Sequence, residues 1–108
     1  MSLKFDFKTL EQPFEADWPV IVPVPQDGGG VQDQEMTVRF RTLTPEEIET
    51  VDKDKIDPGA AKLRLAIVDV RGETFSAELV EKLLARGYVY MALLKAHAKF
   101  VLGQPAKN

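Results

Sequence analysis

The sequence predicts an α+β fold, in which an N-terminal β-hairpin or small antiparallel sheet is followed by about four α-helices. Residues 34–43 alternate apolar and polar side chains with the period of a β-strand. Residues 44–47, TPEE, have the composition of a helix start. In residues 75–102 the apolar residues recur at helical spacing on either side of one glycine. We expect one domain over residues 1–108, with strands in 1–43, helices in 44–103 and a tail in 104–108.

The N-terminal part of the chain contains three segments with strand character. Leu3, Phe5 and Phe7 alternate with charged residues, which predicts a first strand with one buried face. Residues 18–25, WPVIVPVP, are β-branched but contain three prolines, so we expect an edge strand or a polyproline-like segment. A polar loop with three glycines then leads into residues 34–43, which indicates a β-hairpin.

The rest of the chain favours helices. Thr44 predicts the cap of a helix over residues 45–52, with proline at its first position. Residues 60–70 fit either a helix or a strand, and their position favours the helix. Ser76 predicts the next cap, and we expect Gly87 to close that helix in the left-handed conformation. A last helix should end at Gly103.

The composition narrows the class of protein. The net charge of −3 argues against nucleic acid as a main partner, because phosphate binding needs a basic face. The chain has no cysteine, so disulfides and cysteine-based metal sites are excluded, and a reducing cytosol is compatible. No run approaches the ~20 apolar residues of a membrane span, and residues 1–8 lack the apolar core of a signal peptide. We therefore expect no membrane association.

No motif in the sequence has the spacing of a catalytic, cofactor or metal site. The three consecutive glycines are not followed by the Lys-Ser/Thr pair of a phosphate-binding loop. Asp52, Asp54 and Asp57 lack the glycine and glutamate of a calcium loop, and predict a capping turn instead. His97, the only histidine, has apolar neighbours at helical spacing. We expect no cofactor, no metal and no enzymatic activity.

Four segments in order resemble the small tail assembly chaperones of long-tailed bacteriophages and prophages. They are VRFRTLTPEEIE, LRLAIVDV, FSAELVEKLLA and YVYMALLKAH. The resemblance covers residues 36–102. The Gly-Trp pair that this family carries after its apolar segment is absent here, and the turn at residues 71–74 is shorter.

The resemblance implies a non-enzymatic role in virion morphogenesis. Such proteins bind the long, largely helical tape measure protein in the bacterial host cytoplasm. They keep it soluble until tail tube subunits polymerise around it, and they do not remain in the finished virion. In many of these phages a ribosomal frameshift appends a second domain to part of the product. Tape measure protein, another tail protein or a second copy of the chain are the partners to expect.

The apolar faces of the last two helices predict a groove for an amphipathic client helix. The predicted partner-binding residues are four apolar side chains and two lysines at the rim: Leu79, Leu83, Leu93, Phe100, Lys95 and Lys99. An alternative is a structural or adaptor subunit of a phage tail or head–tail connector, in which the proline-rich edge and the hairpin make ring contacts. A small enzyme or ligand binder is a third possibility, which a polar pocket near His97 would favour.

Overall fold

The computed structural model describes residues 3–106 and confirms the α+β prediction. The elements are a 3-10 helix (Phe7–Leu10), strands β1 (Glu15–Pro25) and β2 (Val31–Arg41), helices α1 (Pro45–Asp52) and α2 (Pro58–Ala66), strand β3 (Ile67–Val70), and helices α3 (Ala77–Leu84) and α4 (Gly87–Leu102). Residues 1–2 and 107–108, at the ends of the predicted domain and its tail, lie outside the described residues.

The strands form an antiparallel sheet in the order β1-β2-β3. β1 and β2 pair without interruption from Glu15↔Arg41 to Pro25↔Val31. The turn between them is closed by the Gln26 N–H, which donates to the Gly30 carbonyl at 2.9 Å. The predicted hairpin is confirmed, and β1 is an edge strand, as the prolines indicated.

The prolines of β1 all lie at positions whose backbone nitrogen faces the free edge. At the start of the strand, Phe14 exchanges two hydrogen bonds of 2.8 Å with Thr42, and at its end Gln26 donates to Gly30. Because backbone N–H groups alternate sides along a strand, even-numbered residues face β2 and odd-numbered residues face outward. The outward positions include Pro19, Pro23 and Pro25. The free edge therefore lacks three donors, which discourages the addition of another strand.

One face of the sheet packs on the helices and the other carries ion pairs. The largest fully buried side chains are Val20, Val38, Phe40, Leu63 and Leu93. On the opposite face, Asp17 accepts from Arg39 Nη1 at 3.1 Å and from Arg71 Nη2 at 2.9 Å. These guanidinium hydrogen bonds lower the pKa of Asp17. The alternation along the strands thus separates an apolar face from a charged face.

Helix α1 begins where the sequence predicted, with a complete capping box. The Thr44 hydroxyl accepts from the Glu47 N–H at 3.2 Å, and the Glu47 carboxylate accepts from the Thr44 N–H at 3.0 Å. Arg41 donates two further bonds to Glu47, at 2.8 and 2.6 Å. The Arg41 guanidinium and the Thr44 N–H lower the pKa of Glu47 to about 2. This cluster joins the end of β2 to the first turn of α1.

The predicted first strand is wrong. Residues 3–6 have no regular structure, and Phe7–Leu10 form a 3-10 helix because the Asp6 carboxylate caps the Lys8 N–H at 3.0 Å. The proline-rich edge of β1 also offers few donors for pairing. The Phe5 and Phe7 rings pack on each other at 5.1 Å but remain 57% and 69% exposed. We refer to residues 3–13 as the N-terminal arm.

Two helix boundaries also differ from the prediction. The helix expected over residues 60–70 ends at Ala66, and Ile67–Val70 form β3, because β-branched residues there pair with the free edge of β2. A strand therefore interrupts the predicted helical region. Gly87 does not close α3: it is the first residue of α4, and the extended Arg86 makes the junction. Gly103 does end α4 in the left-handed conformation, with φ of 68°.

Candidate functional site

Helix α4 presents a buried stripe between two accessible flanks. Leu93 is fully buried and Phe100 is 8% exposed. The Phe100 ring lies 5.6 Å from the rings of both Trp18 and Phe40, and 6.1 Å from that of Phe14. Leu93 and Phe100 are therefore core residues, which corrects the expectation that they contact a partner.

The other four predicted partner residues lie on two different surfaces. Leu79 and Leu83, on α3, are half-buried against the core. Lys95 is exposed and Lys99 is half-buried one turn later on α4. The structure thus brings the two lysines together but separates them from the two leucines.

The lysines line a groove between α4 and the edge strand, which we call the strand-edge groove. Its volume is about 430 Å³. Its lining comes from β1, β2, α4 and the segment after α4: Pro19, Ile21, Pro23, Asp33, Tyr88, Met91, Ala92, Lys95, Ala96, Lys99 and Ala106. Ile21 and Met91 are 37% and 52% exposed, so an apolar surface remains accessible between the strand and the helix.

The two lysines of the strand-edge groove form no ion pair among the described residues, although Asp33 of β2 also lines the groove. Among residues 3–106, neither Lys95 nor Lys99 has a carboxylate within ion-pair distance. The Lys99 ammonium donates to the Ala106 carbonyl at 3.5 Å. Lysine places its ammonium in water while its methylene stem covers apolar surface. The groove therefore combines apolar surface with two ammonium groups on one side.

Tyr90, in the first turn of α4, has a structural role. Its hydroxyl donates to Asp57 Oδ1 at 2.7 Å, and Asp57 also caps the Ala60 N–H at 3.0 Å. The hydrogen bond to Asp57 raises the pKa of Tyr90. Asp54 in turn accepts from the Asp57 N–H at 2.9 Å, so the predicted capping turn is confirmed. This network fixes α2 against α4.

A second cavity, which we call the His97 pocket, lies on the other flank of α4. Its volume is about 440 Å³, and it opens between α1 and the C-terminal half of α4. It is lined by Thr42, Leu43, Ile48, Val51, Asp52, Lys62, Leu94, His97, Ala98, Val101 and Leu102. Ile48, Val101 and Leu102 are 48%, 54% and 68% exposed, so large apolar side chains surround its mouth.

His97 is the polar residue buried in this pocket. The side chain is packed against the Phe40 ring at 5.3 Å, and its Nε2 has no hydrogen-bond partner. Burial, together with the charge of Lys62, lowers the pKa of His97 to about 4. The imidazole is therefore neutral near pH 7, and a buried polar atom without a partner costs free energy.

The pocket does not contain the hydrogen bonds of a nucleophile–base pair. Such a pair requires a hydroxyl or thiol bonded to the base. The Thr42 hydroxyl accepts the Phe14 N–H, and no described residue reaches His97 Nε2. Within residues 3–106, no three His, Asp or Glu side chains lie close enough to share a metal ion. The geometry favours binding, and the absence of enzymatic activity stays a prediction.

Sequence reasoning missed Ile21 and Met91 in the strand-edge groove and most of the His97 pocket. A signal for the groove was present, since Met91 lies one helical turn from both Tyr88 and Lys95. No such signal exists for the pocket, because α1 and α4 meet there from distant parts of the chain.

No protein-family model, curated protein or solved structure matches this chain. In the described part of the chain, no helix combines the length and the apolar character needed to cross a bilayer. The resemblance to tail assembly chaperones stays a prediction from the sequence. The two cavities along α4 are the candidate binding sites of this protein.

Proposed function

We propose that this protein is a non-enzymatic tail assembly chaperone that binds helical segments of a phage tape measure protein in the bacterial host cytoplasm. The observation that carries the proposal is the strand-edge groove, with Ile21 and Met91 accessible and with Lys95 and Lys99 on one side. An amphipathic helix fits such a surface through an apolar stripe and acidic residues beside it.

The volume and the charge of the groove support this occupant. About 430 Å³ lies within the ~300–1,000 Å³ range of protein ligand sites and holds several side chains. Because Lys95 and Lys99 have no acidic partners in the described chain, carboxylates of a client gain attraction without breaking an existing ion pair.

The backbone of β1 favours a helix over a strand as the occupant. An added strand would bind through the outward N–H groups of the edge. Pro19 and Pro23, which line the groove, have no N–H to donate. Only Ile21, between them, presents an outward N–H, so most contacts in the groove must come from side chains, as they do when an amphipathic helix binds.

Co-expression with the tape measure protein of the same prophage tests the proposal. We expect the parent chain to raise the soluble fraction of that protein and to co-purify with it. Lys95→Glu combined with Lys99→Glu should lower both measures, because the client's acidic flank would then face like charge. Lys55→Glu combined with Lys82→Glu is the matched control, since both lysines are exposed outside the groove.

A tape measure protein that stays insoluble and unbound would contradict the proposal, as would equal co-purification with both double variants. The alternative, a structural or adaptor subunit, predicts a different outcome. The chain would then persist in assembled tails or connectors at a fixed number of copies, which mass measurement of purified particles would show.

A further inference from the structure

The N-terminal arm carries apolar side chains that its own chain leaves in water. Leu3, Phe5, Phe7 and Leu10 are 93%, 57%, 69% and 70% exposed. The 3-10 helix within the arm contains no buried residue. Four large exposed apolar side chains within eight residues are unusual for a monomeric protein and indicate an interaction site.

The His97 pocket has the complementary features. Apolar side chains surround its mouth, and His97 Nε2 is buried in it without a hydrogen-bond partner. A peptide segment with several phenylalanine and leucine side chains can cover this apolar mouth, above the buried imidazole.

We propose that residues 3–10 of one copy of this chain occupy the His97 pocket of a second copy, in a reciprocal two-fold exchange. The arm is anchored at Phe14, which hydrogen-bonds Thr42, and Thr42 lines the pocket of the same chain. When two copies meet at this region about a two-fold axis, each arm lies next to the pocket of the other.

Charge complementarity favours the arm as the occupant. Lys4 and Lys8 flank Phe5 and Phe7 in the sequence. Asp52 lines the pocket together with Lys62, and α1 also carries the exposed carboxylates of Glu46 and Glu49, the latter paired with Lys53 at 3.1 Å. Within its eight residues α1 has four acidic side chains and no basic one. An arm with its phenylalanines in the pocket would place its lysines near this acidic helix.

Sedimentation equilibrium of the full chain over a wide concentration range tests the exchange. We expect a concentration-dependent species of twice the 12.1 kDa chain mass. Phe5→Ser with Phe7→Ser in the arm, or Ile48→Ser in the pocket, should each abolish it. Ile56→Ser is the matched control and should leave it unchanged, because Ile56 is 96% exposed and lines neither cavity.

Engineered cysteines identify the contact directly, since the chain has none of its own. A mixture of Thr9→Cys protein and Ala98→Cys protein, oxidised mildly, should form a disulfide between one copy of each variant, and Thr9→Cys keeps both phenylalanines of the arm. Ala98 is exposed and lines the pocket, so this substitution leaves the core intact. A chain of single mass at every concentration, or no cross-link in the mixture, would overturn the exchange.

Two further results separate this inference from the proposed function. The first uses one chain that carries both Thr9→Cys and Ala98→Cys. If its two cysteines form a disulfide only within the same chain, the arm closes on its own pocket, which overturns the exchange. Loss of tape measure binding in Ile48→Ser, with the parent chain monomeric, would assign the pocket to the client and also overturn it. Conversely, the chain with Phe5→Ser and Phe7→Ser should no longer dimerise but should still keep the tape measure protein soluble.

Discussion

The two cavities along α4 have nearly equal volumes, about 430 and about 440 Å³, but their polar groups are in different states. In the strand-edge groove, Lys95 is exposed and Lys99 is half-buried, so solvent reaches this charged side. In the His97 pocket, Nε2 is buried and unpaired. An occupant of the groove adds screened charge interactions, whereas the unpaired nitrogen of the pocket is a cost to the stability of the free protein itself.

This difference shows that the volume of a cavity does not indicate whether its residues affect binding or the stability of the fold. Substitutions in the groove should change binding and leave the free energy of unfolding almost unchanged. Substitutions in the pocket or in the stripe beneath it should change the free energy of unfolding itself.

The largest effect should come from Phe100→Ala, in the buried stripe between the two cavities. Phe100 packs on Phe14, Trp18 and Phe40, so truncation leaves a cavity in the aromatic core. We expect a loss of about 3–5 kcal/mol in the free energy of unfolding, measured by urea denaturation. A loss below about 1 kcal/mol would show that Phe100 is not part of the core.

The unfolding free energy should depend on pH through His97. Its pKa is about 4 in the folded chain and near 6.5 when exposed, so the unfolded chain binds the proton first as the pH falls. We expect a loss of about 1–2 kcal/mol between pH 7 and pH 5, before the carboxylates titrate. His97→Phe should remove this dependence and be at least as stable at pH 7. An unchanged pH dependence in that variant would show that His97 does not titrate as described.

Gly59→Ala should disturb the Tyr90–Asp57 hydrogen bond, which fixes α2 against α4. It should also displace Leu94, which lines the His97 pocket. An added Cβ would lie 2.5 Å from the Tyr90 hydroxyl and 3.2 Å from Leu94 Cδ2. The Tyr90–Asp57 hydrogen bond must then shift, so we expect a net loss of about 1 kcal/mol despite the better helix propensity of alanine. Tyr90→Phe is the control: Gly59→Ala should cost less in that background, because the hydroxyl is gone. Equal costs in the two backgrounds would rule out this contact as the cause.

The smallest effect on stability should come from Lys95→Glu combined with Lys99→Glu in the groove. Neither lysine has an ion-pair partner in the described chain, so we expect a change within about 0.5 kcal/mol in thermal or urea unfolding. A loss comparable to that of Gly59→Ala would mean that these lysines stabilise the fold, and the contrast between the two cavities would fail.

Two errors of sequence reasoning concern where the hydrogen-bond partners of a segment lie. Ile67–Val70 became a strand because β2 had a free edge to pair with, and helical spacing carries no information about that edge. Leu3, Phe5 and Phe7 did not become a strand, because Asp6 caps the Lys8 N–H locally and the proline-rich edge of β1 offers few donors. The first outcome depended on a hydrogen-bond partner far away in the chain, and the second on one only two residues away.

The sequence by itself determined the features that depend on near neighbours. The capping box at Thr44, the edge position of the proline-rich strand and the closure of α4 at Gly103 all follow from local backbone chemistry. Only the tertiary structure decided which side of α4 is free. It buried Leu93 and Phe100, left Lys95 and Lys99 beside a groove, and enclosed His97. Burial depends on every element that packs on a helix, and no spacing along one helix contains that information.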